Sequence, residues 1–291
     1  MKEDATASHV ARSTQFDVSR RAMLGGLGAA AALPLLGSLA RAGEASASAL
    51  PLDSTGLEHA STLVPDVAKA GLFYGSVFNP NLYKEMKGPL RYYVTLGKVG
   101  YIAIGDRRDR PNQIDHYCFL VKNYDRQAMA ATLKEKGLPP GRFGMIPDPD
   151  GINLQLLGAP GGLAKSTEPA GRITEKEPLL TPMGLDHVML HVSDLEKALP
   201  FYRMFFGKEA SMTKTMAWFK VANTRLGLKV AAAGERPQIG HFCVNVAPFD
   251  RAKLAEGLTG LGATDITGSD EGKGLLQFKD PNGLTVELKP A

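Results

Sequence analysis

Gly56-Leu57-Glu58-His59 returns as Gly184-Leu185-Asp186-His187 exactly once, 128 positions later, and the agreement continues in register. At that offset Val64, Asp66, Lys69, Ala70, Phe73, Tyr74 and Phe78 reappear as Val192, Asp194, Lys197, Ala198, Phe201, Tyr202 and Phe206. A second block runs at an offset of 125, from Ile114, His116, Cys118 and Val121 to Ile239, His241, Cys243 and Val246. A third carries Asp148-Pro149-Asp150-Gly151 onto Asp280-Pro281-Asn282-Gly283. Self-similarity of this length means duplication, so the chain must fold as two copies of one architecture. The copies span 53–158 and 183–291, and the stretch 159–182 between them, crowded with Gly, Pro, Glu, Lys and Thr, reads as a surface linker.

Each copy contains a smaller unit twice. His187 to Val192 is an apolar, β-branched run suited to a strand, and Ser193-Asp194 is a helix-capping signal for the amphipathic stretch from Leu195 to Phe206, with a kink expected at Pro200. Ala217–Val221 and Leu226–Ala231 read as strands. The plan recurs with a strand over Gly240–Val246, a helix over Asp250–Leu261, and strands over Gly274–Phe278 and Leu284–Leu288 joined by an Asp-Pro-Asn-Gly turn. The unit is βαβββ, expected four times, in an α+β fold.

The first 42 residues are of another kind. Ser19-Arg20-Arg21-Ala22-Met23-Leu24 precedes a weakly apolar, Gly- and Ala-rich stretch that ends in Ala40-Arg41-Ala42. Charged region, apolar region and small-residue cleavage site in that order make an export signal, and the paired arginines resemble the twin-arginine type. The apolar run is short for a membrane span and contains Pro34. Residues 1–42 are therefore expected to be a cleaved leader and 43–52 an unstructured segment, giving a periplasmic or secreted protein with no stable membrane anchor, whose partner during export is the twin-arginine translocase.

Composition narrows the function. Lys+Arg 34 against Asp+Glu 30 gives a net charge of only +4, spread along the chain, which argues against a nucleic-acid partner. Two cysteines, Cys118 and Cys243, are too few for a disulfide scaffold and too far apart for a zinc ribbon. They read as small buried residues at a repeated core position, with a disulfide left open.

The Gly-Leu-Asp-His opening with Phe201-Tyr202 after it, the His241 strand, and Asp280-Pro281-Asn282-Gly283 running into Val286-Glu287-Leu288 resemble the vicinal oxygen chelate superfamily. That family includes glyoxalases, bleomycin resistance proteins and extradiol dioxygenases. The resemblance implies two tandem domains, each a pair of βαβββ units curled into an incomplete eight-stranded barrel around a metal. Residue by residue it implies metal ligands at His187, His241 and Glu287. Two imidazoles and a carboxylate suit one divalent ion, Fe(II) favoured, with Mn(II), Zn(II) or Ni(II) as alternatives. The N-terminal copy has His59, His116 and, in place of the glutamate, Gln155, which implies a degenerate or second, weaker metal site.

The resemblance favours an Fe(II) extradiol-type ring-cleaving dioxygenase acting on a small aromatic or catecholic substrate. A glyoxalase- or epimerase-like lyase or isomerase and a non-catalytic small-molecule binder are the alternatives. The four-ligand arrangement of glyoxalase I would need an acid between Arg225 and Val230, where the chain offers Arg225 and Lys229. Dioxygenases of the family carry a tyrosine where Gln277 stands. His191, four residues beyond His187 and so on the same strand face, is the candidate acid–base or a hydrogen-bonded pocket residue. Trp218, Phe219 and Lys220 are candidates for pocket walls or for packing within a strand, and a homodimer is an open expectation.

Overall fold

The computed structural model describes residues 48–268 and 274–291, so the expected leader and residues 43–47 lie outside the described residues. Leu50 and Leu52 pack against the core, and the Leu52 amide donates to the Phe205 carbonyl at 2.8 Å, where an unstructured segment was expected.

The N-terminal half runs β1 (Ser54–Val64), α1 (Val67–Val77), β2 (Asn81–Glu85), β3 (Arg91–Leu96), β4 (Gly100–Asp106), β5 (Gln113–Val121), α2 (Arg126–Glu135), β6 (Met145–Pro147) and β7 (Asn153–Gly158). The C-terminal half runs β9 (Thr181–Val192), α3 (Leu195–Phe206), β10 (Ser211–Met212), β11 (Met216–Val221), β12 (Thr224–Val230), β13 (Gln238–Ala247), α4 (Arg251–Gly260), β14 (Thr264–Gly268), β15 (Leu276–Lys279) and β16 (Thr285–Pro290). Each helix starts at an aspartate, Asp66, Asp125, Asp194 or Asp250, whose side chain accepts from first-turn backbone amides left open by helix geometry. α3 continues through Pro200 as one helix.

Between the halves the segment 159–182 is not featureless. β8 (Thr167–Arg172) forms there and pairs antiparallel with β2. The N-terminal half needs it. Its second unit has only β5, β6 and β7, so β8 brings that sheet to eight strands by adding to the opposite edge, and βαβββ is complete three times rather than four. The strand orders are β6-β7-β5-β1-β4-β3-β2-β8 and β10-β11-β12-β9-β13-β16-β15-β14. In both, the first strands of the two units, β1 with β5 and β9 with β13, are antiparallel neighbours at the sheet centre.

Alternation then sorts side chains to two faces. Val188, Leu190 and Val192 of β9, with Val286 and Leu288 of β16, enter a hydrophobic cluster that is continuous through both halves, while His187, Met189, His191, Thr285, Glu287 and Lys289 take the concave face. The halves are also locked by exchange. Tyr74 on α1 donates to Asp280 at 2.9 Å, and Tyr202 on α3 donates to Asp148 at 2.6 Å, so each helix tyrosine reaches the Asp-Pro turn of the other half. Asp280 in turn accepts the Asn282 and Leu284 amides at 2.8 Å, fixing the turn that feeds β16.

Candidate metal centre

The site begins with four irregularities in strand pairing. In β9, Leu185 faces Val244 and His187 faces Cys243, so Asp186 is an extra residue, a β-bulge; Glu58 is the same extra residue in β1. Gly240 in β13 and Asp115 in β5 complete the set, so each histidine follows a bulge residue. A bulge breaks the alternation and lets that residue's side chain lie alongside the histidine after it.

In the C-terminal half this brings three predicted ligands together. His187 Nε2 lies 3.2 Å from His241 Nε2 and 3.1 Å from Glu287 Oε2, and the third separation is 3.8 Å. All three side chains are buried. Donors bound to one cation at about 2.1 Å stand about 3.0 Å apart at right angles and about 3.4 Å at tetrahedral angles. Two of the three separations fall in that interval and the third closes with a small side-chain adjustment, so the donor set fits a divalent ion in both chemistry and spacing.

Behind the triad, His187 Nδ1 meets Asp186 Oδ1 at 2.8 Å. That contact keeps the ring proton on Nδ1 and the Nε2 lone pair aimed at the triad. Asp186 also takes Lys289 Nζ at 2.6 Å and the Arg225 guanidinium. Burial works against its charge, but His187, Lys289 and Arg225 outweigh burial and hold the carboxyl well below the usual range. For His187 burial likewise opposes the charged form, yet Asp186 and Glu287 prevail and raise it.

The N-terminal half repeats the pair and not the triad. His59 Nε2 is 3.3 Å from His116 Nε2, and Gln155 occupies the register position of Glu287, opposite Cys118 as Glu287 is opposite Cys243. Gln155 donates its amide to the Phe143 carbonyl at 3.0 Å. The carboxylates here stand behind the histidines, with Glu58 at 2.9 Å from His59 Nδ1 and Asp115 at 2.9 Å from His116 Nδ1. Burial drives His59 down more than Glu58 raises it.

The remaining sequence candidates take defined places. His191 lies two register steps beyond His187, its Nδ1 is 2.5 Å from Glu235 Oε1, and its ring covers Gly240, where an added Cβ would stand 2.5 Å from Nε2. Glu235 also accepts from Gln238 and from the Ala232 amide, and no spacing rule in the sequence pointed to it. Trp218, Phe219 and Lys220 line a pocket of about 280 Å³ with Asp186, Arg225 and Lys289. Trp218 meets the His187 ring edge-on at 5.1 Å and carries the Arg225 guanidinium on its face at 4.7 Å. Gln277 pairs in register with Glu287. Cys118 and Cys243 are free, buried thiols. Among the described residues no helix is long and apolar enough to cross a membrane.

Residues 184–288 match the family model described as the Glyoxalase/Bleomycin resistance protein/Dioxygenase superfamily. Solved structures share the two-domain fold. The 2,3-dioxygenase LapB from Pseudomonas sp. KL28 is 14% identical with a TM-score of 0.60, covering 83% of this chain and 93% of that one. The Mn(II)-bound glyoxalase from Novosphingobium aromaticivorans is 15% identical with a TM-score of 0.57 over 82% of each chain. A catechol 2,3-dioxygenase is 17% identical with a TM-score of 0.57, over 82% of this chain and 89% of that one.

Proposed function

We propose that this chain is an exported, metal-dependent enzyme whose C-terminal half oxidises a small aromatic or catecholic substrate in the manner of an extradiol ring-cleaving dioxygenase, with Fe(II) held by His187, His241 and Glu287. The observation that carries this reading is the convergence of two imidazole nitrogens and one carboxylate oxygen within 3.1 to 3.8 Å, all buried, beside a pocket. Bound there, the metal would supply Lewis-acid polarisation of substrate oxygens and one-electron chemistry toward dioxygen at its open positions.

The chain's own residues do the rest. Asp186 fixes the orientation of His187, and Arg225 and Lys289 keep Asp186 ionised for that task. Trp218 gives the pocket an apolar wall against which a ring can lie. His191, polarised by Glu235, is the group assigned to moving a proton, since its ring crosses to β13 and sits against Gly240, one residue before the ligand His241.

A lyase or isomerase of glyoxalase type is the second reading, favoured by the same triad and by the His191–Glu235 pair as a base. Arg225, at the register position opposite His187, counts against a fourth acidic ligand there. The test is to fold the protein with Fe(II) under argon, measure bound iron, and follow oxygen uptake with a panel of catechols. Oxygen consumption with ring opening supports the first reading; isomerisation of a hemithioacetal without oxygen uptake supports the second and overturns the first. Export is tested by fractionating cells that express the full chain and a variant with Arg20→Lys and Arg21→Lys. The wild-type chain is expected outside the cytoplasm and the variant inside.

A further inference from the structure

Strand register allows the concave faces of the two halves to be compared position by position. Lys220, Arg225, Lys229, Lys279 and Lys289 of the C-terminal face stand where the N-terminal face has Thr95, Tyr101, Gly105, Pro147 and Leu157. Every cation of the C-terminal cup is a neutral residue in the other copy. The N-terminal cup has a cation of its own on this face, Arg91, at the position of Met216, so the excess of positive charge lies in the half that has the three-ligand cluster.

Some of that charge is spoken for. Lys279 pairs with Asp265 at 2.8 Å, and Arg225 and Lys289 share Asp186. Lys220 and Lys229 enter no ion pair among the described residues. At the pocket of about 280 Å³ the lining carries Lys220, Arg225 and Lys289 against Asp186 alone, three cations to one carboxylate. One wall is aromatic, from Trp218, with the Arg225 guanidinium stacked on the indole. A cleft of one sign beside an apolar wall concentrates ligands of the opposite sign. The volume suits a single small ring.

We propose that the substrate is a small planar carboxylate, its ring against Trp218 and its carboxylate drawn to Lys220 at the pocket mouth, so that Lys220 sets specificity for anionic over neutral ligands. This rests on the reading that the C-terminal cup is the substrate site, and it adds the charge class of the substrate.

Calorimetry with matched probes tests it. The redox-inert zinc-loaded protein, held under argon, is titrated with 3,4-dihydroxybenzoate and with catechol, and the metal-free protein with benzoate and with benzyl alcohol. The carboxylate of each pair is expected to bind about tenfold more tightly at low salt, a margin that falls in 0.5 M salt as screening shortens the reach of the lysines. Lys220→Gln, at an exposed position, is expected to reduce the ratio to about threefold or less while the circular dichroism spectrum stays that of the wild type. Equal affinity within both pairs, or an unchanged ratio in Lys220→Gln, overturns the proposal. Carboxylate preference in the metal-free protein without diol binding to the zinc form would support it while removing the chelating reading of the site. Tight catechol binding with no carboxylate preference would do the reverse.

Discussion

Two carboxylates reach the paired histidines in each cup, and they are placed differently. The N-terminal cup has Glu58 and Asp115, both behind a histidine at Nδ1; the C-terminal cup has Asp186 behind His187 and Glu287 among the donors in front. Moving one carboxylate from back to front turns a histidine pair into a three-donor centre without changing the number of carboxylates that reach the paired histidines. The relocation has a packing consequence. Gly240 replaces Asp115, and the space is filled by the His191 ring, which itself stands where the N-terminal half has Leu63. At these concave positions the two copies thus differ through coupled exchanges on a shared pairing of central strands.

That comparison can be broken at its strongest point first. Glu287→Gln makes the C-terminal cup resemble the N-terminal one, and the expected outcome is a loss of metal affinity of at least about a hundredfold, read by calorimetric titration with Zn(II). The reverse change, Gln155→Glu, is expected to raise metal stoichiometry from one toward two per chain, because the pair at 3.3 Å already offers two donors. Next in size, Asp186→Asn should weaken metal binding by about 10- to 100-fold through loss of His187 orientation, whereas Glu58→Gln should leave the stoichiometric metal in place.

Smaller effects test the lock between the halves. Tyr74→Phe and Tyr202→Phe each remove a buried bond to a carboxylate, and each should cost about 1.5–3 kcal/mol in chemical denaturation. Similar costs for the two would show that the exchange is symmetric although the donor sets of the two cups are not. Smallest is the acid response of the His191–Glu235 pair. Its partners outweigh burial and hold Glu235 down at about 2, so its contribution to stability is present above its ordinary value near 4.5 and is lost as pH falls from there toward 2. His191→Leu, copying Leu63, should remove that part of the acid sensitivity, under about 1 kcal/mol because the pair is partly exposed, as followed by denaturation between pH 2 and pH 5.

Much of this was legible in the sequence, and for a definite reason. Repeats expose register: once His59 and His187, His116 and His241, and Gln155 and Glu287 are aligned, strand alternation sends each pair of equivalents to the same face. The triad needed no more than that. What stayed hidden depends on contacts without periodicity. β8 has no apolar alternation because it is an edge strand with mostly exposed residues, and its segment therefore read as linker. Glu235 meets His191 across a loop, and the bulges that set Asp186 and Asp115 beside their histidines leave no mark in residue spacing. Trp218, Phe219 and Lys220 could be named but not assigned, since a strand exposes alternate residues and only the folded chain shows Trp218 and Lys220 facing the pocket while the Phe219 side chain is buried in the core.

Anomalous diffraction from crystals grown with Zn(II) tests the central claim most directly. The account predicts one strong peak per chain, about 2 Å from each of His187 Nε2, His241 Nε2 and Glu287 Oε2. A peak confined to the His59–His116 pair, or no ordered ion at either cup under saturating metal, would contradict it.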